Sequence, residues 1–380
     1  MKALLFERKV ARYAAAAVAG RFAPGRGAKV GPLRLADVDP PELPGSDWVR
    51  VRPRLSGICG SDLATIDGYS SRYFEPIVSF PFVPGHEVVG DLDGDAGRVV
   101  LVPILTCAVR GIDPPCPQCA AGTPNRCERV AFGHLEPGLQ TGFCESTGGG
   151  WSTLLVAHPT QLVEIPDALT DEEAVLVEPM ACAVHAAAQL QRGDVAVIGS
   201  GTLGLLTIAA AAAGGATVIA AAKHPHQKQL AKELGAHTVC EPGELARVLR
   251  SRTGSFVVDD RLTGGVGQVV DCVGSSDSLQ QALDVTGPGG TVHAVGMPGT
   301  TTLDLTGLWH KELAIRGCYA YHHDDFATAV DAVKGLGHLV SAIYPLSRYA
   351  DALQHAAEAG RRGSVKIAFD LRSEKERNRL

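Results

Sequence analysis

No run of about 18 consecutive apolar residues occurs in this 380-residue chain, so a membrane-spanning helix is not expected. Its most apolar stretch, LLTIAAAAAGGATVIAAA, is broken by Gly214 and Gly215. Basic runs are equally scarce. Lys and Arg total 35 against 41 Asp and Glu, a net charge of −6, which makes nucleic acid a poor partner. The opening MKALLFERKV carries Lys2, Glu7, Arg8 and Lys9 and lacks the charged-then-apolar order of a secretory leader, which predicts a cytoplasmic protein. Ten cysteines are too few for a disulfide scaffold, and no internal repeat of about 20 to 50 residues is visible.

What is present is ample apolar material, 45% of the chain against 20% charged residues, enough for two or three domains with separate cores. The first 160 residues are punctuated by PPELPG, FPFVPGHE, GDLDGDAG and STGGG, the texture of short strands joined by turns. From about Asp171, Ala-rich helical runs alternate with short apolar strands (VAVIG, ATVIAAA, QVVDCVG, TVHAVGM), which predicts a parallel, doubly wound sheet and an α/β fold class. Residues 10–31 are a locally basic excursion after the first strand and are expected to be a surface loop or short helix, with a lid or subunit contact as the alternative.

The segment DVAVIGSGTLGLLTIAAAAAG is an apolar strand, a glycine turn and a helix, with Gly199, Gly201 and Gly204 in G-x-G-x-x-G spacing. Gly199 permits the tight turn, Gly201 lets backbone approach a pyrophosphate, and Gly204 allows close helix packing, while the helix N-terminus offers free N–H groups. The next strand ends in Ala222, where an NAD site usually carries Asp or Glu, and is followed by Lys223, His224, His226 and Lys228. Cations there suit a 2′-phosphate, so NADP(H) is expected over NAD(H).

Four of the cysteines fall between positions 107 and 127, and in a reducing compartment such bunching predicts metal ligation. Separately, SGICGSD and PFVPGHEVVG place Cys59, His86 and Glu87 on turns between short strands, and LVEPMACAVHA places Glu178 at the start of a helix. Cys, His and carboxylate are all zinc ligands, and a catalytic zinc needs three of them plus an open position.

With these residues on the page, the chain resembles the zinc-dependent medium-chain alcohol dehydrogenases, in particular their sorbitol- and threonine-dehydrogenase-like branch. The match is carried by GICGSD (57–62), GHE (85–87), the cysteine cluster through Cys127, GGGWS (148–152), EP (178–179), GSGTLG (199–204) and VGMPG (295–299). The resemblance implies a GroES-like, β-rich catalytic domain of residues 1–179 and 320–380, and a Rossmann domain of residues 180–319. It implies catalytic zinc ligands Cys59, His86 and Glu178, with Glu87 an adjacent carboxylate able to exchange into the coordination sphere, and Ser61 as the proton-passing hydroxyl. Ala64 stands where some relatives have the histidine that ends the proton relay. Asp62 is expected to hold the zinc surroundings, or simply the turn.

A structural zinc is implied at Cys116, Cys119 and Cys127, with the fourth ligand either Cys107 or Asp113, or with the lobe metal-free; zinc's preference for thiolates in closed sites favours Cys107. Cofactor contacts are implied at Thr202, Leu203, Val273, Val295, Gly296 and Met297, besides the glycines, Lys223, His224 and Lys228. The expected reaction is hydride transfer between NADP(H) and an alcohol, polyol or carbonyl counterpart by a homodimer or homotetramer. A reductase of C=C or C=N bonds on the same fold is the alternative. Trp151, Tyr69, Tyr73 and Phe74 are candidates for the substrate wall, although aromatics near such turns are more often core residues.

Overall fold

The computed structural model describes every residue except 95–96, 260, 298 and 374–380. Two units emerge, Met1–Glu178 with His322–Leu380, and Pro179–Tyr321. The first begins with β1 (Lys2–Phe6) and β2 (Leu33–Asp37), an antiparallel pair with Leu4 opposite Leu35. Between them the 10–31 excursion forms two helices, Val10–Phe22 and Gly27–Val30. Alanine, the strongest helix former, supplies six of the thirteen residues of the first. The excursion is tied down by Asp67, whose carboxylate accepts from the Gly25 and Gly27 N–H groups at 2.6 and 2.9 Å.

The chain continues through β3 (Val49–Gly57), β4 (Val88–Leu92), β5 (Arg98–Leu101), β6 (Leu155–Ala157) and β7 (Leu162–Glu164). The second unit contributes β8 (Gly193–Ile198), β9 (Ala216–Ala221), β10 (Thr238–Cys240), a small hairpin of β11 (Val257–Val258) and β12 (Arg261–Leu262), β13 (Val266–Asp271), β14 (Thr286–Ala294) and β15 (Ala314–Gly317). The chain then returns to the first unit as β16 (Val340–Pro345) and β17 (Lys366–Asp370).

In the first unit the main sheet runs β16-β17-β3-β4-β5-β7, with β6 also paired to β3. Pro53 cannot donate to a ladder, and the β3–β4 register shifts between Pro53 and Leu55 where it sits. β17 lies antiparallel to β3 with Ala368 opposite Gly57, so the C-terminal strand runs beside the loop that follows Gly57. Buried Leu4, Phe6, Phe82, Trp151, Ile367 and Phe369 form the core under this sheet.

In the second unit the order is β10-β9-β8-β13-β14-β15, and every pairing is parallel. Strands flanked by helices on both faces must be apolar throughout. Val195–Ile198 and Val218–Ala221 are accordingly buried without interruption. The strand order reverses between β8 and β13, the crevice where doubly wound sheets bind ligands. The α/β expectation, a β-rich domain plus a parallel doubly wound sheet, is borne out. No helix among the described residues is long and apolar enough to cross a membrane.

Candidate active site and metal centres

Cys59 caps the helix Gly60–Ile66, with its backbone N–H donating to Asp62 Oδ2 at 2.9 Å. His86, on the extended segment entering β4, is buried beside it, and its Nδ1 lies 3.6 Å from Asp62 Oδ1. Burial alone would depress the imidazole, yet Asp62, Cys59 and Glu178 together hold it well above the usual histidine range. Glu178, in the first turn of the helix Val177–Ala187, is also buried. Burial pushes the Asp62 carboxyl up, against the pull of His86.

Neither His86 Nδ1 nor Asp62 Oδ1 has a hydrogen-bond partner. A half-buried cysteine, a buried imidazole and buried carboxylates, two of whose polar atoms have no hydrogen-bond partner, are a donor set that zinc fits by ligand type. Ser61 stands half-buried on the first turn of the same helix, where Thr65 Oγ1 donates to its carbonyl at 2.9 Å.

Glu87 is placed differently from its neighbour His86. Its carboxylate is ion-paired to Lys366, a wholly buried lysine on β17 whose Nζ also donates to Ile58 O at 3.1 Å. Sequence reasoning missed Lys366. The one available signal was a single lysine in the otherwise apolar run SVKIAF.

In the second candidate metal centre the ligand atoms of Cys107, Cys116, Cys119 and Cys127 all lie within 4.8 Å of one another. Cys107 and Cys127 sulfurs are 3.7 Å apart, and those of Cys116 and Cys127 4.0 Å. A tetrahedron of thiolates about 2.3 Å from zinc has edges of about 3.8 Å, so the group fits that ion. Asp113 is exposed and stands outside the group. Arg110 shapes the lobe from within: wholly buried, its guanidinium donates to the carbonyls of Leu105, Phe132, Leu135, Glu136 and Gly138. Burial lowers its pKa, and the Cys144, Cys127 and Cys107 sulfurs oppose that fall.

At the switch point Gly199 has φ of 91°, the left-handed region, and a Cβ there would strike Val273. A Cβ on Gly204 would strike the Gly199 carbonyl, whereas one on Gly201 would meet no protein atom within 4 Å. Gly201 caps the helix Thr202–Ala213, so that space lies at the helix N-terminus. Val273, Val295, Gly296 and Met297 gather at the ends of β13 and β14, where Asp271 accepts from Val273 N and, through its carbonyl, from Val295 and Gly296 N.

Ala222 is buried after β9, its N–H bonded to Cys240 O at 2.9 Å. Lys223 is exposed, the His224 and His226 rings stack 5.9 Å apart, and Lys228 is bonded to Glu241 at 2.7 Å. Of the aromatic candidates, Trp151 is a core residue: it is wholly buried, donates to Gly57 O and packs edge-on against Phe369. Tyr69 and Tyr73 are exposed, and Phe74 packs on Tyr73.

Comparison with known proteins gives a consistent picture. Residues 45–167 match the family model described as the alcohol dehydrogenase GroES-like domain, and residues 202–335 match the zinc-binding dehydrogenase model. The chain is 29% identical to sorbitol dehydrogenase of Bacillus subtilis over 82% of its own length and 87% of that protein. It is 30% identical to L-idonate 5-dehydrogenase of Vitis vinifera, over 77% of this chain and 79% of that one. Among solved structures, one described as a zinc-binding dehydrogenase from Sinorhizobium meliloti 1021 bound to NADP superposes with a TM-score of 0.70 at 25% identity, covering 89% of this chain and 96% of that one.

Proposed function

This chain belongs to the zinc-dependent medium-chain alcohol dehydrogenases, on their sorbitol-dehydrogenase-like side, and from that premise we propose that it transfers a hydride between NADP(H) and an alcohol or polyol, or the corresponding carbonyl. The observation that carries the reading is the half-buried Cys59 beside the buried His86 and Glu178, with Cys59 and Glu178 both acting electrostatically on the His86 imidazole. These three would hold the catalytic zinc, with Asp62 orienting the His86 ring. When bound, zinc supplies Lewis-acid polarisation of the reacting oxygen, and the nicotinamide supplies or accepts the hydride. Ser61 moves the proton of the substrate hydroxyl. Residues 1–179 with 320–380 serve as the catalytic domain, residues 180–319 as the cofactor domain, and Cys107, Cys116, Cys119 and Cys127 hold a structural zinc.

NADP(H) preference rests on Ala222, Lys223, His224 and Lys228. The pairing of Lys228 with Glu241 is a partly exposed ion pair, worth only about 0 to 1 kcal/mol, so a 2′-phosphate can draw the lysine away. A bound NADP in a relative at 25% identity supports the same reading. Free thiols in the cysteine lobe suit the reducing cytoplasm. The residues of edge strand β15 are all exposed, an open ladder that suits a homodimer or homotetramer.

A second reading, reduction of C=C or C=N bonds, is favoured by one feature: Ala64 leaves the relay position without a titratable group. An assay of NADP-dependent oxidation across alcohols and polyols separates the two. Ser61→Ala should slow oxidation by a factor of about 100 to 10,000. An undiminished rate, together with robust reduction of an activated C=C or C=N substrate, would favour the second reading.

A further inference from the structure

The 10–31 excursion supplies none of the metal-site or nucleotide-site residues, and its charge is unlike that of the rest of the chain. Between Glu7 and Asp37 stand Arg8, Lys9, Arg12, Arg21, Arg26, Lys29 and Arg34 without one acidic residue, in a protein of net charge −6. Arg8 is paired with Glu75, and Lys9 and Arg34 with Glu7. Arg12, Arg21, Arg26 and Lys29 are exposed and have no ion-pair partner among the described residues.

The helix Val10–Phe22 is apolar on two faces. One face is seated on the first unit through small residues: Ala16 and Gly20 are buried, a Cβ on Gly20 would come within 2.9 Å of Asp67 Cβ, and one on Gly68 within 2.7 Å of Ala17 Cβ. The other face carries Val10, Ala14, Val18 and Phe22, spaced four apart and therefore one stripe along the helix. Val10 is 77% exposed, Val18 57% and Phe22 84%. A helix apolar all round is ordinarily covered all round, so this stripe is made for a cover.

The surrounding charge says what kind. At about 3.6 residues per turn, Arg21 falls within the stripe and Arg12 at its border, while Arg26 and Lys29 follow directly after the helix. A second copy of the same face would set these cations against each other. Nucleic acid would meet the charge and leave the stripe wet. A groove that encloses a basic helix cannot reach around this one, because its inner face is fixed to the fold at Asp67 and Gly68. A flat anionic surface with an apolar layer beneath it satisfies both the stripe and the cations.

We propose that the 10–31 excursion is a docking surface for an anionic lipid bilayer. Val10, Val18 and Phe22 enter the boundary between headgroups and acyl chains, and Arg12, Arg21, Arg26 and Lys29 pair with lipid phosphates and carboxylates. The helix is held in place before the membrane is met, so docking bears no cost of ordering it. A single short helix gives reversible attachment, not a permanent anchor.

The test is sedimentation of the full-length protein with vesicles of phosphatidylcholine alone and of phosphatidylcholine mixed with phosphatidylserine. Wild type should bind the mixed vesicles and not the neutral ones, and binding should fall as salt is raised. Arg12→Gln/Arg21→Gln/Arg26→Gln/Lys29→Gln should weaken it at least about a hundredfold, since each cation near the surface contributes about fivefold. Val18→Ser/Phe22→Ser should weaken it by about tenfold or more through lost apolar burial. Both variants should keep the wild-type melting temperature and cofactor affinity, because every replaced side chain is exposed.

No binding to the mixed vesicles, or equal binding to both kinds, would overturn the proposal, and this comparison needs only the wild type should a variant not fold. Loss in the four-cation variant with none in Val18→Ser/Phe22→Ser would mean that charge alone acts, as against an acidic protein, and would overturn the lipid assignment. A smaller oligomer in Val18→Ser/Phe22→Ser, measured by analytical ultracentrifugation, would assign the stripe to a second copy of this chain and overturn it too.

Discussion

Gly201→Ala should weaken cofactor binding at least about tenfold while costing the fold no more than about 1 kcal/mol. The added methyl meets no protein atom within 4 Å, and the residue's φ of −76° and ψ of −167° are open to alanine. The only cost to the free protein is a poorer helix cap, about 0.5 to 1 kcal/mol for alanine in place of glycine. Bound cofactor is another matter. The methyl would occupy the open space at the N-terminus of the helix Thr202–Ala213 and would push a pyrophosphate away from that helix end. One charge-assisted hydrogen bond contributes about 1.5 to 3 kcal/mol, which corresponds to roughly 10- to 150-fold in affinity.

Gly204→Ala is the contrasting perturbation. Its Cβ strikes the Gly199 carbonyl inside the helix–strand contact, so its cost of about 1 to 3 kcal/mol falls on the fold itself. Fluorescence titration with NADPH and NADH, paired with thermal melting of both variants, separates the two effects. The reasoning is refuted if Gly201→Ala binds cofactor within about twofold of wild type, or if its binding loss merely tracks a fall in melting temperature.

Metal analysis should find close to two zinc ions per chain, and replacing Cys116 and Cys119 with serine should remove one; a count that does not change would leave the four-sulfur lobe without a role. Arg110→Met strands five carbonyl acceptors, so denaturant unfolding should register a loss of at least about 3 kcal/mol; a shift below about 1 kcal/mol would mean that water replaces the guanidinium. Ala222→Asp should move the ratio of NADPH to NADH affinity toward NADH by about tenfold or more, by setting an anion beside the 2′-phosphate; an unmoved ratio would place the phosphate elsewhere.

The nucleotide fold was the most legible part of the sequence, because uninterrupted apolar strands and the spacing of Gly199, Gly201 and Gly204 are local signals that need no knowledge of the rest of the chain. Cys107 was harder to read. It lies nine residues before Cys116, and the turn that folds it back is built by Arg110 through carbonyls reaching to Gly138. Lys366 was invisible for a similar reason. A lysine in a short strand ordinarily faces water, and only the pairing of Ala368 with Gly57 sets this one against Glu87. Lys228 looked free for a phosphate until β10 brought Glu241 alongside. Trp151, which the sequence left open between substrate wall and core, is held in the core by its bond to Gly57 O, a contact between residues 94 positions apart. In each case the deciding partner is remote in sequence, where periodicity and composition carry no information.

The most direct test of the account is NADP reduction by the zinc-loaded enzyme on a panel of alcohols and polyols, run on wild type and Cys59→Ala, with NADPH binding measured on both. Polyol-dependent reduction by the wild type, abolished in Cys59→Ala while NADPH affinity stays within about twofold, is the expected result, since the nucleotide site proposed here is the glycine-rich turn and does not include Cys59. Oxidation that persists undiminished in Cys59→Ala would contradict it.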